Sequence, residues 1–265
     1  MNMLAQELKR SFRSWLYFTL GMAATVAVFG AFFNSLRADV QLMNRLLQNF
    51  PPEFKAAFGF TDVDLSKIEG YFSFISSYIV LIGAVYGMKL GVQLLSEEGR
   101  RHAVDFLLTR PVRRSAVFGS KFLAILINLV TQNIVLYLAG IMMIRLVIGE
   151  SLDFSVYALL SFSTFFVQLF FAGIGLVVAA LAQRIRSVTP IAMGVVFFFF
   201  IIELVNESIR DVKLSYLTPF AYFKGSVILS SRGYDAAFLL LDLAVFVFFS
   251  GLACLIYRKK DFHAA

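Results

Sequence analysis

Three polar side chains, Asn128, Thr131 and Gln132, follow one another at helical spacing inside a long apolar stretch. On an α-helix, residues three and four positions apart share a face. A fourth polar residue, Gln168, lies in the middle of the next apolar stretch. Such side chains can line a polar translocation path, or they can hydrogen-bond one helix to another at ~0.6 kcal/mol on average in membranes. The sequence leaves both interpretations open.

A second polar face lies near the end of a later apolar stretch. Glu203 and Glu207 are one helical turn apart, and Asn206 and Arg210 lie on the same face. Carboxylates in this position can form the outer gate of a transport path. Pairing of either carboxylate with Arg210 at helical spacing explains the pattern equally well.

The residue patterns of nucleotide hydrolysis and metal catalysis are missing from the sequence. A P-loop requires GxxxxGK[ST], and the nearest stretch, Gly119-Ser120-Lys121, lacks the second glycine and the spacing. The two histidines, His102 and His263, fall short of the three or four ligands of a usual zinc site. We therefore expect no metal site, no cofactor bound to this chain and no ATP hydrolysis by it.

The composition indicates that lipid is the solvent for much of the surface. Of the 265 residues, 59% are hydrophobic and only 15% are charged, whereas soluble domains are about one quarter charged. Because one cysteine cannot form a disulfide within the chain, Cys254 provides no covalent link. We interpret the net charge of +7 as loops that face anionic lipid rather than as a nucleic-acid site.

The apolar stretches predict an all-α polytopic membrane protein with six transmembrane helices in one domain, residues 1–265. A helix crosses ~30 Å of hydrocarbon with about 20 apolar residues, and helices satisfy their backbone groups internally. The predicted spans are 15–36, 71–93, 118–145, 155–182, 188–206 and 236–257.

The basic residues predict the orientation of these spans. Short segments on one side of the predicted spans are dense in Lys and Arg, whereas those on the other side are spread over two long loops. Because cytoplasmic loops carry the excess of basic residues, we expect both termini in the cytoplasm and the protein in the plasma (inner) membrane.

The N-terminal segment predicts a separate helix before the first span. Leu4, Leu8, Phe12 and Trp15 recur at helical spacing, and charged residues lie largely on the other side. An amphipathic helix of this kind lies in the membrane interface. The segment 207–235 is too interrupted for another span, and we expect short helices folded back against the outer leaflet.

The most polar segment, residues 94–117, connects the second and third predicted spans. Ala103, Phe106 and Leu107 share one helical face, and Asp105 lies opposite. We predict an amphipathic helix over residues 96–110. Docking to a soluble partner and resting on the lipid surface are equally consistent with it.

The two ends of this predicted helix carry further signals. Glu97 and Glu98 stand at its start, where a helix dipole favours acidic residues. Pro111 ends it, because the residue before a proline avoids the α region. A basic run that includes Arg113 and Arg114 follows.

This segment resembles the type-2 ATP-binding-cassette permeases of bacteria and archaea. That family carries an acidic pair and a glycine, an apolar helix ending in Leu-Leu, a Pro-Val-x-Arg and a Gly-x-Lys that enters the third span. A Leu-Thr-Pro-Phe stretch before the last span is also similar, whereas Arg100-Arg101-His102 stands where the family usually has threonine after the glycine. The matching stretches are Glu97-Glu98-Gly99, Phe106-Leu107-Leu108, Pro111-Val112-Arg113-Arg114, Gly119-Ser120-Lys121 and Leu217-Thr218-Pro219-Phe220.

The resemblance implies a permease subunit of an ATP-driven transporter, with export as the expected direction. Two six-span subunits, identical or paralogous, would pair, and each would contact a separate ATPase subunit that binds ATP and magnesium. Segment 94–117 would contain the coupling helix that docks on the ATPase. The residues that this resemblance assigns to coupling are Glu97, Glu98, Gly99, Asp105, Phe106, Leu107, Pro111 and Arg113.

The alternative is an ion-coupled secondary transporter or a channel without an ATPase partner. Such a protein needs ionisable residues at mid-membrane. We expect the charges of this chain to lie near the span ends, which favours the permease.

Overall fold

The computed structural model describes residues 3–38, 67–100, 114–148, 153–182, 185–209 and 211–259. Within these ranges the chain is helical and contains no β-strand. Six helices, α1 to α5 and α9, are long and apolar enough to cross a membrane, so the predicted all-α, six-span architecture is confirmed. The helices are α1 Met3–Ala38, α2 Ile68–Arg100, α3 Arg114–Met143 with a π-helical turn at Ile144–Ile148, α4 Phe154–Leu181, α5 Val188–Ile209, α6 Val212–Ser215, α7 Pro219–Tyr222, α8 Gly225–Ser231 and α9 Ala236–Lys259.

The expectation of a separate N-terminal helix is wrong, because α1 runs without a break from Met3 to Ala38. Neither glycine nor proline occurs between Met3 and Leu20, so no residue there interrupts the helix. Its 36 residues are ~54 Å long at 1.5 Å per residue, against ~30 Å of hydrocarbon. The first turns of α1 therefore extend the first span.

A second correction concerns the acidic pair. We expected Glu97 and Glu98 at the start of a new helix, but α2 continues through them to Arg100. The residues that precede Gly99 include leucine, glutamine and glutamate, which favour helix. The pair therefore lies in the last turn of α2.

The bundle is built around α2 and α4, whose most apolar windows are 61% and 67% buried, against 22% for both α5 and α9. Glycines bring the backbones of these two central helices together. A Cβ placed on Gly87 would lie 2.5 Å from the carbonyl oxygen of Gln168, and one on Gly175 would lie 2.6 Å from that of Met88. A Cβ on Gly91 would overlap the carbonyl oxygen of Ala172. Small residues permit this close approach.

The short helices α6 to α8 lie between α5 and α9, so the short helices predicted for segment 207–235 are present. Their position against the outer leaflet stays a prediction. Asp211 caps α6 by accepting a hydrogen bond from the backbone nitrogen of Lys213 (2.9 Å). Pro219 occupies the first turn of α7, where its missing N–H is not needed. The hydroxyl of Thr218 donates to the carbonyl of Phe199 (3.2 Å), which holds the connection against α5.

The contacts define two ends of the bundle. At the basal end, the start of α1, the end of α2, the start of α3 and the end of α9 meet, as the bonds from Lys121 to Glu7 and to Leu94 and from Arg114 to Arg258 show. At the distal end, Lys224 before α8 contacts Glu203 near the end of α5. Chemistry-bearing side chains lie toward both ends.

Candidate functional site

Lys121 joins three helices at the basal end. It lies seven residues into α3, about 10 Å from the helix start, and only 1% of its side chain is exposed. Its Nζ donates to Glu7 Oε1 on α1 (3.2 Å) and to the carbonyl oxygen of Leu94 on α2 (2.6 Å). A buried ammonium is stable only when it is paired and hydrogen-bonded, so these contacts hold the three helices together.

A second contact between α1 and α3 lies farther from the basal end. The amide nitrogen of Asn128 donates to Ser11 Oγ (3.0 Å) and to the carbonyl oxygen of Ala124 (2.7 Å). Both Ser11 and Asn128 are buried. Asn128 is seven residues beyond Lys121, which places the two on the same face of α3.

An amide cluster continues this line toward the middle of the bundle. The amide nitrogen of Gln168 on α4 donates to Gln132 Oε1 (2.8 Å), and that of Asn133 donates to Gln168 Oε1 (2.6 Å). Gln132 also donates to Thr19 Oγ1 on α1 (3.3 Å). The cluster links α1, α3 and α4 through buried side chains.

These contacts lie one after another along α3, and we call them together the polar seam. From Lys121 to Gln132 it extends ~17 Å along α3. Its buried donors and acceptors bond mainly to one another, which is the interhelical bonding that the sequence left as one of two interpretations. A role in a translocation path stays a prediction. The polar seam consists of Glu7, Ser11, Thr19, Lys121, Asn128, Gln132, Asn133 and Gln168.

Thr131 does not join the polar seam. Its side chain is exposed, and its hydroxyl donates to the carbonyl oxygen of Ile127 within its own helix (2.7 Å). A residue one position before Gln132 is rotated by about 100° around the helix, which explains the separation.

Several members of the polar seam were missed by sequence reasoning. Lys121 was interpreted as the start of the third span, although α3 begins at Arg114. Asn133 lies beside Gln132 in the sequence. Two adjacent amide side chains in an apolar stretch point to different sides of the helix, and this pattern indicates contacts with two neighbouring helices. Glu7 and Ser11 were assigned to an interfacial helix, where no buried partner was expected.

Lys89 provides a further contact between α1 and α2 near the basal end. Its Nζ donates to Ser14 Oγ (2.9 Å) and lies 4.9 Å from the centre of the Phe18 ring. A cation over an aromatic face is attracted by the ring quadrupole. Both partners belong to α1, so this contact fastens the basal half of α1 to α2.

The distal end carries an ion cluster. Lys224 Nζ lies 2.8 Å from Glu203 Oε1 and 2.8 Å from Glu207 Oε1. Asn206 donates to Glu203 Oε2 (3.4 Å) and to Ser215 Oγ (3.2 Å). We call these five residues the distal ion cluster. It connects α5 to the short helices α6 and α8.

The charges of the distal ion cluster stabilise one another. Burial disfavours the charged form of Lys224, but Glu203 and Glu207 outweigh it and raise the pKa of Lys224 above its ordinary value. Arg210, the expected partner of these carboxylates, lies outside the described residues. Sequence reasoning did not identify Lys224, because the short helices α6 and α7 lie between Lys224 and Glu207 in the sequence.

Most of the predicted coupling residues lie outside the described part of the chain. These are Asp105, Phe106, Leu107, Pro111 and Arg113. Glu97, Glu98 and Gly99 belong to the last turn of α2, three to five residues after Leu94. The polar seam therefore begins beside the end of α2, the helix that precedes the rest of the predicted coupling segment in the sequence.

The comparison with known families agrees with the sequence resemblance. Residues 1–262 match the family described as ABC-2 family transporter protein. The match covers the polar seam, the distal ion cluster and segment 94–117 alike. No curated protein matches the chain significantly.

Proposed function

The chain is a multi-pass membrane permease of the ABC-2 transporter family, and we propose that a separate ATPase subunit drives it to export its substrate across the plasma membrane. In this proposal both termini face the cytoplasm, so the basal end is the cytoplasmic end. ATP and magnesium bind to the partner subunit. A second permease subunit, identical or paralogous, completes the membrane part.

The strongest structural support comes from Lys121. Its ammonium bonds to α1 through Glu7 and to the end of α2 through the carbonyl oxygen of Leu94. Segment 94–117, which we propose as the ATPase-docking element, begins at Leu94 and ends in the first turn of α3. A force applied to this segment therefore reaches a buried contact that three helices share.

The polar seam offers a way to transmit that force. Its hydrogen bonds join α1 and α3 at Ser11 and Asn128, and α1, α3 and α4 at the amide cluster. Amides and hydroxyls donate and accept, so their partners can be exchanged without leaving a charge unpaired. We propose that ATPase closure shifts α1 and α3 together and that the amide cluster switches between two bonding arrangements, as packed elements do in two-state transitions.

We propose that the distal ion cluster is the outer gate. Lys224 holds the short helix α8 to Glu203 and Glu207 on α5. Separation of α5 from α8 would leave charged groups without partners unless water enters. Opening of the gate is thus coupled to hydration of the distal end.

Pairing of two permease subunits is supported by the interior of one bundle. Most polar groups of the polar seam have partners within it, while α5 and α9 expose most of their apolar surface. A path between two subunits makes use of surfaces that a single bundle leaves uncovered. Closed symmetric pairs are the commonest solution for such surfaces.

The test of this function is purification of the protein from its native membranes. We expect an ATPase subunit with a P-loop to accompany it in a fixed ratio and the complex to hydrolyse ATP. Replacing the P-loop lysine of that partner should abolish hydrolysis without releasing the permease. Substrate transport that needs an ion gradient and no ATP would instead support a secondary transporter.

A further inference from the structure

Among the described residues, one buried carboxyl belongs neither to the polar seam nor to the distal ion cluster. Asp242 on α9 lies six residues after Ala236, ~9 Å from the distal start of that helix, and it is fully buried. Neither of its carboxyl oxygens has a hydrogen-bond partner among the residues that the structure describes. This corrects the expectation that charges lie only near the span ends.

Asp242 belongs to the face of α9 that packs against the bundle. Phe246, one turn farther along this face, lies against Gly173 of α4 and stacks on Phe122 of α3 with ring centres 5.7 Å apart. Phe238, one turn before Asp242, stacks on Tyr222 of α7 at 5.1 Å. The residues one turn to either side of Asp242 on this face are thus aromatic and packed against the bundle.

The titratable groups of the neighbouring helices are engaged elsewhere. The ring of Tyr222 on α7 stacks on Phe238 of α9, and its hydroxyl donates to the carbonyl oxygen of Tyr216 (2.6 Å). On α4, the ring of Tyr157 packs against Phe72 and Tyr137.

The cations and acids of the other contacting elements also have their own partners. On α3, Lys121 bonds to Glu7 and Leu94, and Arg114 bonds to the carbonyl oxygen of Arg258 at the basal end. At the distal end, Lys224 has two carboxylate partners, Glu203 and Glu207, and Arg232 pairs with Asp153 (3.6 Å). No described cation forms an ion pair with Asp242.

A carboxylate without a cation or donor is strongly disfavoured in such surroundings. We propose that Asp242 is a proton-binding site that carries its proton while α9 is packed against α4 and α7. When these helices separate, water reaches the carboxyl and the O–H bond breaks, so that the proton passes to water and the carboxylate remains on the chain. The conformational equilibrium of the distal half therefore depends on pH.

The sign of this dependence follows from proton linkage. The packed form binds a proton at Asp242 more tightly than the separated or unfolded form, so rising pH weakens the packed form. An Asp242→Asn variant keeps the shape and cannot ionise. Its stability relative to the wild type should increase as the pH rises from acid to alkaline values, and the two proteins should converge at acid pH.

Infrared spectroscopy of the purified protein in lipid nanodiscs tests the protonation directly. At neutral pH we expect the carbonyl band of a protonated carboxyl that shifts on labelling with isotopically substituted aspartate and is absent from Asp242→Asn. Glu203→Gln is the matched control and should retain the band. If Asp242→Asn does not fold, the spectra of the wild type with and without aspartate labelling test the protonation by themselves.

Spectra in which aspartate labelling leaves the protonated-carboxyl region unchanged at every pH would overturn the proposal. A stability difference between wild type and Asp242→Asn that does not vary with pH would overturn its conformational part. Neither readout requires an ATPase, so a failure here is distinguishable from a failure of the permease assignment.

Discussion

At the scale of single residues, Lys121 is the position on which the account depends most. Its ammonium is almost completely buried and has a carboxylate and a carbonyl oxygen within 3.2 Å. Removing one member of a buried ion pair leaves the other charge uncompensated. The loss of folding stability is then larger than the net contribution of the intact pair to stability.

Lys121→Met should destabilise the protein by about 3 kcal/mol, the lower end of the range for a broken buried pair. Glu7 would lose its buried partner and keep only the partly exposed Arg10, which lies 3.5 Å from its Oε1. The double variant Glu7→Gln with Lys121→Met should be clearly more stable than Lys121→Met alone. Denaturation midpoints in detergent measure both. Lys259→Met, which changes an exposed lysine at the end of α9, is the control and should behave like the wild type.

Equal losses from the single and the double variants would contradict the pairing. That result would assign the effect to the contact between Lys121 and the carbonyl oxygen of Leu94.

Individual residues of the candidate site could be predicted where a polar residue interrupts an apolar stretch of sequence. Asn128, Gln132 and Gln168 were identified in this way, and the structure places all three in the polar seam. Thr131 was grouped with them by spacing, although its hydroxyl can satisfy itself on its own helix. Sequence spacing gives the face of a helix but not the partner across it, which is why Ser11 and Thr19 were not found.

At the scale of elements, the contact between α2 and α4 organises the bundle. Gly83, Gly87 and Gly91 recur every four residues along α2, and a Cβ on any of them would crowd α4. In membranes, packing of small residues replaces the hydrophobic effect between helices. The repeat is visible in the sequence, but which helix it contacts is a property of the fold.

Gly91→Ala should push α2 and α4 apart and destabilise the protein by about 1–3 kcal/mol, as overpacking does. Its added Cβ would meet the carbonyl oxygen of Ala172, which is backbone and cannot rotate away. Gly251→Ala on α9 is the matched control, because no atom lies within 4 Å of the added Cβ. Comparison of thermal unfolding in detergent measures the difference.

Equal stability of the Gly91 and Gly251 variants would show that the two central helices are not in backbone contact.

The proposed coupling element can be tested by its apolar face. A buried aromatic anchor typically costs ~2 kcal/mol or more when it is truncated, which is roughly a thirtyfold loss of affinity. Phe106→Ala should therefore release the ATPase from the purified complex, while Phe106→Leu should retain most of it. The measurement is the ratio of ATPase to permease after solubilisation.

Full retention of the ATPase by Phe106→Ala, with normal ATP hydrolysis, would remove Phe106 from the docking surface. The alternative of a lipid-resting helix predicts that membrane insertion or stability changes instead.

Element-scale prediction was limited mainly at helix ends. The six spans were placed by the length of apolar sequence that a bilayer requires, and each lies on a long helix of the structure. The interfacial helix and the coupling helix were both given separate starts, but α1 and α2 run through those positions. Apolar residues can recur at helical spacing on both sides of the membrane surface. Their spacing therefore does not show where one helix ends and the next begins.

At the scale of the whole molecule, the two polar clusters lie toward opposite ends of one bundle. The polar seam begins at Lys121 beside the end of α2, and the distal ion cluster joins α5 to α8. A permease that is driven by an ATPase must transmit movement from its basal end to its distal end. The central claim is that this movement passes through the polar seam.

The most direct measurement is the distance between spin labels at the distal end of the reconstituted complex. Ile209→Cys on α5 and Leu240→Cys on α9 are exposed label positions. Cys254→Ser removes the native thiol, and the labelled permease is mixed with an excess of unlabelled permease. The distance distribution should shift when the ATPase is trapped with ATP and vanadate. The shift should vanish in the Glu7→Gln, Lys121→Met variant while the ATPase stays bound. An unchanged distance in the otherwise wild-type protein, or the same shift in the variant, would contradict the account.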